Sequence, residues 1–307
     1  MLNSPVHSIG RKETNAVFTR LSDVRKGLTF YALVFGLVVI VSLLPLGEVA
    51  LVVAMMMPAL AVLLMLLVIT RDGYSRAGWA SLGLHRLGVK AWPLAVLAPL
   101  TVLGVAYGIV WASGIATFTP PAGLGALEWV TTLGQDAFQN LVIATLVFSL
   151  GEELGWRAYL LPKLASAFGN RRGMLLTGFL HGLFHMPIIF LTPYYHADGN
   201  RWLVVPMFLL AVTVGGLLFG YLRLTTGSVW PASLAHSAHN WFWGMFGGFT
   251  LATSPVAAEY LAGESGILPI LGYALLALWL LTRKPLRQAQ APAEPGMILA
   301  PVTPGAI

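Results

Sequence analysis

The sequence predicts an all-α, polytopic membrane helix bundle of about eight transmembrane helices, and three observations lead there. The chain of 307 residues is 57% hydrophobic and only 10% charged, where soluble domains carry about 25% charged residues. Eight apolar runs approach the roughly 20 residues that a helix needs to cross a hydrocarbon core. Basic residues alternate in density between the connections, with 17 of the 18 falling on one side of the bundle.

The runs are 28–46, 49–70, 92–115, 137–160, 174–192, 202–222, 229–250 and 266–282. The first begins too far from Met1, and is too long, to be the apolar region of a cleaved signal peptide. It follows a basic segment holding Arg11, Lys12, Arg20, Arg25 and Lys26, and residues 1–27 are expected to be a cytoplasmic N-terminal segment. Between the second and third runs, residues 71–91 mix Arg71, Arg76, Arg86 and Lys90 with Tyr74, Trp79, Leu82 and Leu84, a pattern suited to the membrane interface. Arg157, Lys163, Arg171 and Arg172 mark the end of the fourth run, and Arg223 follows the sixth. Arg283, Lys284 and Arg287 follow the eighth, and only Arg201 lies opposite. The positive-inside rule then places both termini in the cytoplasm of an integral membrane protein. The membrane unit is expected to span 28–284, and the Pro- and Ala-rich residues 285–307 to be a disordered cytoplasmic tail. The formal charge of +6 is an orienting feature, and no nucleic acid is expected as a partner. The chain has no cysteine, which excludes disulfides, thiolate metal ligands and a cysteine nucleophile.

Against this apolar background the acids stand out. Ten of the twelve fall in termini, loops or span edges; Glu152 and Glu153, in "SLGEELGWRAYLLP", lie well inside a span. An acid at a helix centre costs about 2.5–3.5 kcal/mol on insertion scales, and such residues usually face a bundle interior or wet cavity. Glu153 and Arg157 stand at i and i+4, which reads as an ion pair locking the helix. Glu152 has Trp156 at i+4, so its partner must come from another helix or from water. Four of the seven histidines lie in two spans: His181 and His185 in "GFLHGLFHMP", His236 and His239 in "SLAHSAHNWF". His236 and Asn240 share a helix face. A membrane histidine most often makes an interhelical hydrogen bond, but neutral imidazole also accepts protons or binds metals near pH 7. An asparagine amide can donate to a developing oxyanion. From the cytoplasmic ends of their helices, Glu152 and His185 lie at most about 16 Å deep and His236 about 10 Å. The three are therefore expected to converge on one cavity opened from inside.

These motifs resemble the signatures of the CPBP intramembrane protease family, which contains type II CAAX prenyl endopeptidases and bacterial Abi-type proteins. "EELGWR" resembles its EExxxR motif, "LHGLFH" its FxxxH motif, and "GSVWPASLAHSAHN" its HxxxN motif, in order over a motif core of residues 137–245. His181 stands where the second motif usually has Phe. The resemblance implies that Glu152 and His185 position and deprotonate a water, that His236 and Asn240 hold the oxyanion, and that Glu153 and Arg157 brace the helix, with His181 an ambiguous neighbour. Glu152, His185 and His236 can also be read as a two-histidine, one-carboxylate zinc set with one open position, although no HExxH is present and a metal-free glutamate mechanism is equally compatible. The implied substrate is a membrane-associated protein or peptide, reached within the lipid bilayer. Nothing identifies a prenyl pocket. The compact form resembles prokaryotic members, which implies the plasma membrane. Two other functions fit parts of the pattern: a proton-coupled transporter, since intramembrane Glu and His build proton relays, and a non-catalytic adaptor or bacteriocin-immunity protein that keeps the fold without hydrolysis.

Overall fold

The computed structural model describes residues 21–123, 125–193 and 200–283. The expected cytoplasmic N-terminal segment and disordered tail fall mainly on residues 1–20 and 284–307, outside the described residues. The predicted all-α bundle is what forms. The long elements are α1 (Asp23–Leu43), α2 (Val49–Leu64), α4 (Trp92–Ala112), α8 (Asn170–Phe184), α10 (Arg201–Thr226), α11 (Trp230–Gly248) and α13 (Ile267–Arg283). The short helix α3 (Arg76–Ser81) and two 3₁₀ turns occupy the predicted interfacial segment. Lys26 ties that segment to the start of α1 through a 2.8 Å ion pair with Asp72.

Among the described residues, six helical stretches are long and apolar enough to cross a membrane: Asp23–Leu43, Val49–Ile69, Val89–Ala112, Asn170–Leu191, Arg201–Thr226 and Ala258–Thr282. The two further runs in the expected count of eight are 137–160 and 229–250, and both form helices in the bundle. Each carries several polar residues of the site. Glu152, Glu153 and Arg157 sit in one, and His236, His239 and Asn240 in the other, which lowers their apolar character.

The stretch from 126 to 168 departs from a regular α-helix. It comprises α5 (Ala126–Phe138), π-helical turns at Gln139–Ile143 and Thr145–Ser149, α6 (Leu150–Glu153), a longer π-helical segment at Leu154–Leu160, and α7 (Leu161–Phe168). The two glutamates thus end one α-helical turn flanked by wider turns, a distortion that concentrates at functional sites. Small residues let neighbours close on this distorted run. At Gly155 a Cβ would lie 2.5 Å from Pro58 of α2, and at Gly151 it would lie 2.9 Å from the Met55 carbonyl. Helices α8 and α10 approach similarly, since a Cβ at Gly178 would lie 2.8 Å from the Thr213 carbonyl. Such small-residue contacts replace the hydrophobic drive that lipid removes.

One element lies outside the all-α expectation. β1 (Ala116–Phe118) and β2 (Thr250–Ala252) pair antiparallel, with Thr117 opposite Leu251. The ribbon forms because α4 and α11 pack together and end side by side, so the extended residues after each satisfy one another's backbone groups. This ribbon end also holds α9 (Met186–Leu191), α12 (Pro255–Ala262) and the start of α13. The opposite, basic end holds the 71–91 segment and the turn between α10 and α11. There Arg223 donates from Nε to the Arg157 carbonyl (3.1 Å) and from Nη2 to the Ser81 carbonyl (2.7 Å). Trp230 donates to the Leu84 carbonyl at 2.9 Å, and Ser228 Oγ bonds the Arg86 carbonyl.

Candidate active site

Hydrogen bonds hold the glutamate run against α11 on either side of His236. Ser149 and Ser237 share a hydroxyl–hydroxyl bond of 2.7 Å, and Ser233 donates to the Thr145 carbonyl at 2.7 Å. With both flanks of His236 fixed, its ring stacks on Phe219 of α10, 5.6 Å between centroids and 13° apart. Its Nδ1–H donates to Glu153 Oε1 at 3.0 Å.

Glu153 and Arg157 form the expected i, i+4 pair, Nη1 to Oε1 at 2.8 Å, and both are almost fully buried. The pair does more than brace one helix, because the same Oε1 also accepts from His236. Glu152 finds its partner on another helix, as its lack of a cation at i+4 required. That partner is His181 of α8, whose Nε2 lies 2.7 Å from Glu152 Oε2. His181 Nδ1 lies 3.2 Å from Arg157 Nη1. A guanidinium can only donate, so Nδ1 is the acceptor and Nε2 carries the proton given to Glu152. The ring is further held by stacking on Trp156 at 4.9 Å. His181 therefore joins both carboxylates' networks, and the ambiguous neighbour of the sequence is a central member of the cluster. One turn on, His185 Nδ1 donates to the His181 carbonyl at 2.9 Å, which leaves Nε2 as the lone-pair nitrogen of the neutral ring.

A cavity of about 70 Å³ lies beside this network, with room for about two waters at ~30 Å³ each. His181, His185, His236, Asn240 and Arg157 line it, with Gly215, Gly216 and Phe219 of α10 and Tyr273 of α13. Two helices, α8 and α11, thus bring together His181, His185, His236 and Asn240 around the cavity. Glu152 and Glu153 stand one hydrogen bond behind that lining, reached through His181 and His236. His239 also lines the cavity and bonds Tyr273 Oη at 2.8 Å, as an interhelical contact would. Among the described residues the Asn240 amide makes no hydrogen bond. The lining of the cavity extends from Gly216 and Phe219 to Glu264, Pro269 and Ile270, on the turn before α13 and at its start.

The expected metal set also changes. The residues whose ligand atoms all lie within 4.8 Å of one another are Glu152, His181 and His185. His236 is not in that group, and its Nδ1 bonds Glu153. A metal-bound histidine turns its lone pair to the ion and donates its other N–H to a carbonyl or carboxylate. His185, bonded to a carbonyl, has that arrangement. His181 does not, because Arg157 occupies Nδ1 as a donor and fixes the proton on Nε2. The 2.7 Å spacing to Glu152 is also shorter than the ~3.3 Å between two tetrahedral ligands each ~2.0–2.1 Å from zinc. As hydrogen-bonded here, the trio does not fit a three-ligand zinc site.

Ser149, Ser233, Ser237, Arg223 and Glu264 are site or supporting residues that sequence reasoning passed over. The serines recur at i and i+4 around His236, a spacing that could have marked them as interhelical donors. Arg223 and Glu264 read as ordinary span-edge charges.

Residues 134–242 match the family model described as type II CAAX prenyl endopeptidase Rce1-like. The matched span contains Glu152, Glu153, Arg157, His181, His185, His236 and Asn240. No curated protein matches the chain.

Proposed function

We infer, from the match of residues 134–242 to the type II CAAX prenyl endopeptidase Rce1-like model, that this chain is an intramembrane endopeptidase. It hydrolyses a peptide bond of a membrane-associated protein or peptide with a water activated by Glu152 and His185. The observation that carries the reading is the approach of Glu152, His181 and His185, with their ligand atoms within 4.8 Å of one another, beside a cavity that also exposes His236 and Asn240. A water making two hydrogen bonds of ~2.8 Å at a tetrahedral angle joins acceptors ~4.5 Å apart. The ligand atoms of Glu152 and His185 lie within 4.8 Å of one another, close to that span.

In this reading the water attacks the scissile carbonyl carbon while Glu152 takes its proton, as a general base within hydrogen-bond reach. His181 is a positioning residue: its Nε2–H fixes one oxygen of Glu152 and its Nδ1 is itself fixed by Arg157. The carbonyl oxygen gains negative charge and meets the Asn240 amide and, with the His236 ring doubly protonated and paired with Glu153, its Nε2–H; both donors are set beforehand by the packing of α11. Glu153 orients His236 from behind. Collapse of the tetrahedral intermediate breaks the C–N bond, and Glu152 returns the proton to the leaving amine. The Arg157 contact to His181 favours this metal-free route over a zinc-bound water.

The experiment is incubation of purified protein with a quenched, membrane-tethered peptide library, with the Glu152→Gln protein alongside. Cleavage by the wild type and none by the variant is expected. Equal cleavage by the two would remove Glu152 from the reaction.

A further inference from the structure

Resting on the endopeptidase reading, we propose that Glu264 sets substrate specificity, selecting a peptide that carries a cationic side chain next to the bond to be cut.

Glu264 lines the same cavity as His185, His236 and Asn240, but at its far side, on the turn between α12 and α13. The turn is held by bonds from Gly263 N–H to the Glu259 carbonyl and from Gly266 N–H to the Gly263 carbonyl, both 2.9 Å. Ile270 N–H continues the chain into α13 by donating to Gly266 at 3.1 Å. The carboxylate is therefore carried on an ordered connection. It lies within electrostatic reach of His239, another cavity-lining residue, and of Tyr107.

The charges on the cavity wall separate by position. At the inner side the cation Arg157 is neutralised by Glu153 at 2.8 Å. Glu152 and Glu153 do not line the cavity, so among the described residues Glu264 is the one carboxylate on its wall. A substrate segment in the cavity meets that single carboxylate. Low-dielectric walls strengthen such a field, and like charge is rejected as well as opposite charge attracted. The apolar wall between, formed by Phe208, Val212 and Ile270, offers no other ionic contact.

The test uses the full-length protein in zwitterionic vesicles, so that lipid charge does not sort the substrates. Three tethered peptides, alike except for Lys, Gln or Glu beside the labelled bond, are offered to the wild type, Glu264→Gln and Glu264→Lys, all checked for unchanged melting. Their binding to the Glu152→Gln protein, alone and combined with Glu264→Lys, is measured in parallel. Wild-type kcat/KM should favour Lys over Glu by at least about fivefold, the scale of a partly exposed ion pair. Glu264→Gln should flatten the preference and Glu264→Lys reverse it; if the lysine variant does not fold, the glutamine variant decides. Cleavage with a preference that neither change alters would overturn the proposal and leave the endopeptidase reading standing. Charge-selective binding lost in Glu264→Lys, without cleavage by any protein, would support the recognition role and overturn hydrolysis. Neither cleavage nor selective binding would overturn both.

Discussion

Replacing His181 with Phe separates the two roles a buried histidine can play here. Phe keeps an aromatic ring against Trp156, whose indole stacks on His181 at 4.9 Å and 30°. It removes two interactions: the Nε2–H donated to Glu152 at 2.7 Å and the Nδ1 acceptor facing Arg157 at 3.2 Å. A hydrogen bond to a charged group contributes about 1.5–3 kcal/mol, and the surviving partner is buried. Glu152 is only 3% exposed, so bulk solvent does not readily replace the lost donor. The stacking is present in both proteins and cancels. The two lost hydrogen bonds together amount to about 3–6 kcal/mol, roughly 5–20 °C of melting temperature for a chain of this size. The catalytic consequence is separate from the stability loss. With one oxygen of Glu152 released, the base loses its alignment to the water, and misplacement by ~1 Å can cost about 10²-fold. The expected result is a folded protein with kcat lowered roughly 10- to 100-fold and KM nearly unchanged, measured by reconstituted peptide cleavage and thermal melting. Wild-type kcat in a folded His181→Phe protein would refute the positioning argument.

Asn240→Ala should lower kcat by about 10²–10³ with little change in KM, the usual loss for an oxyanion donor, whereas His239→Ala should cost far less, because His239 is already engaged with Tyr273; kinetics of the two variants side by side make the comparison. Arg157→Met should destabilise the protein by about 3–5 kcal/mol, the scale of an orphaned buried charge, since Glu153 is 0% exposed; denaturation in detergent reads this directly. Reporter fusions after Lys90 and after Arg287 should both read as cytoplasmic, as the basic asymmetry requires. A signal from the opposite side at either point would invert the assignment of the ribbon end.

The bundle was largely legible in the sequence because membrane helices announce themselves by length and apolarity. The runs 92–115, 202–222, 229–250 and 266–282 became Trp92–Ala112, Arg201–Thr226, Trp230–Gly248 and Ile267–Arg283. The odd residues were legible for the complementary reason: a carboxylate inside such a run needs a partner, and Glu152 has one. The identity of that partner was not readable. His181 and His185 share a helix face, and only the rotation of α8 against the glutamate run decides which meets Glu152. That rotation depends on the π-helical turns at 145–149 and 154–160, which shift every later side chain and carry no periodic signature. The extent of the cavity was hidden likewise, because Glu264 enters it from a turn about 80 residues after His185 in the chain.

The central claim is that a water held by Glu152, without a metal, opens a peptide bond. It is tested most directly by cleavage of a tethered peptide in H₂¹⁸O by protein treated with a strong chelator, with products weighed by mass spectrometry. The account predicts undiminished cleavage, one ¹⁸O in the new carboxylate, and no product from Glu152→Gln. Activity that vanishes on chelation and returns with zinc, or that survives in Glu152→Gln, would contradict it.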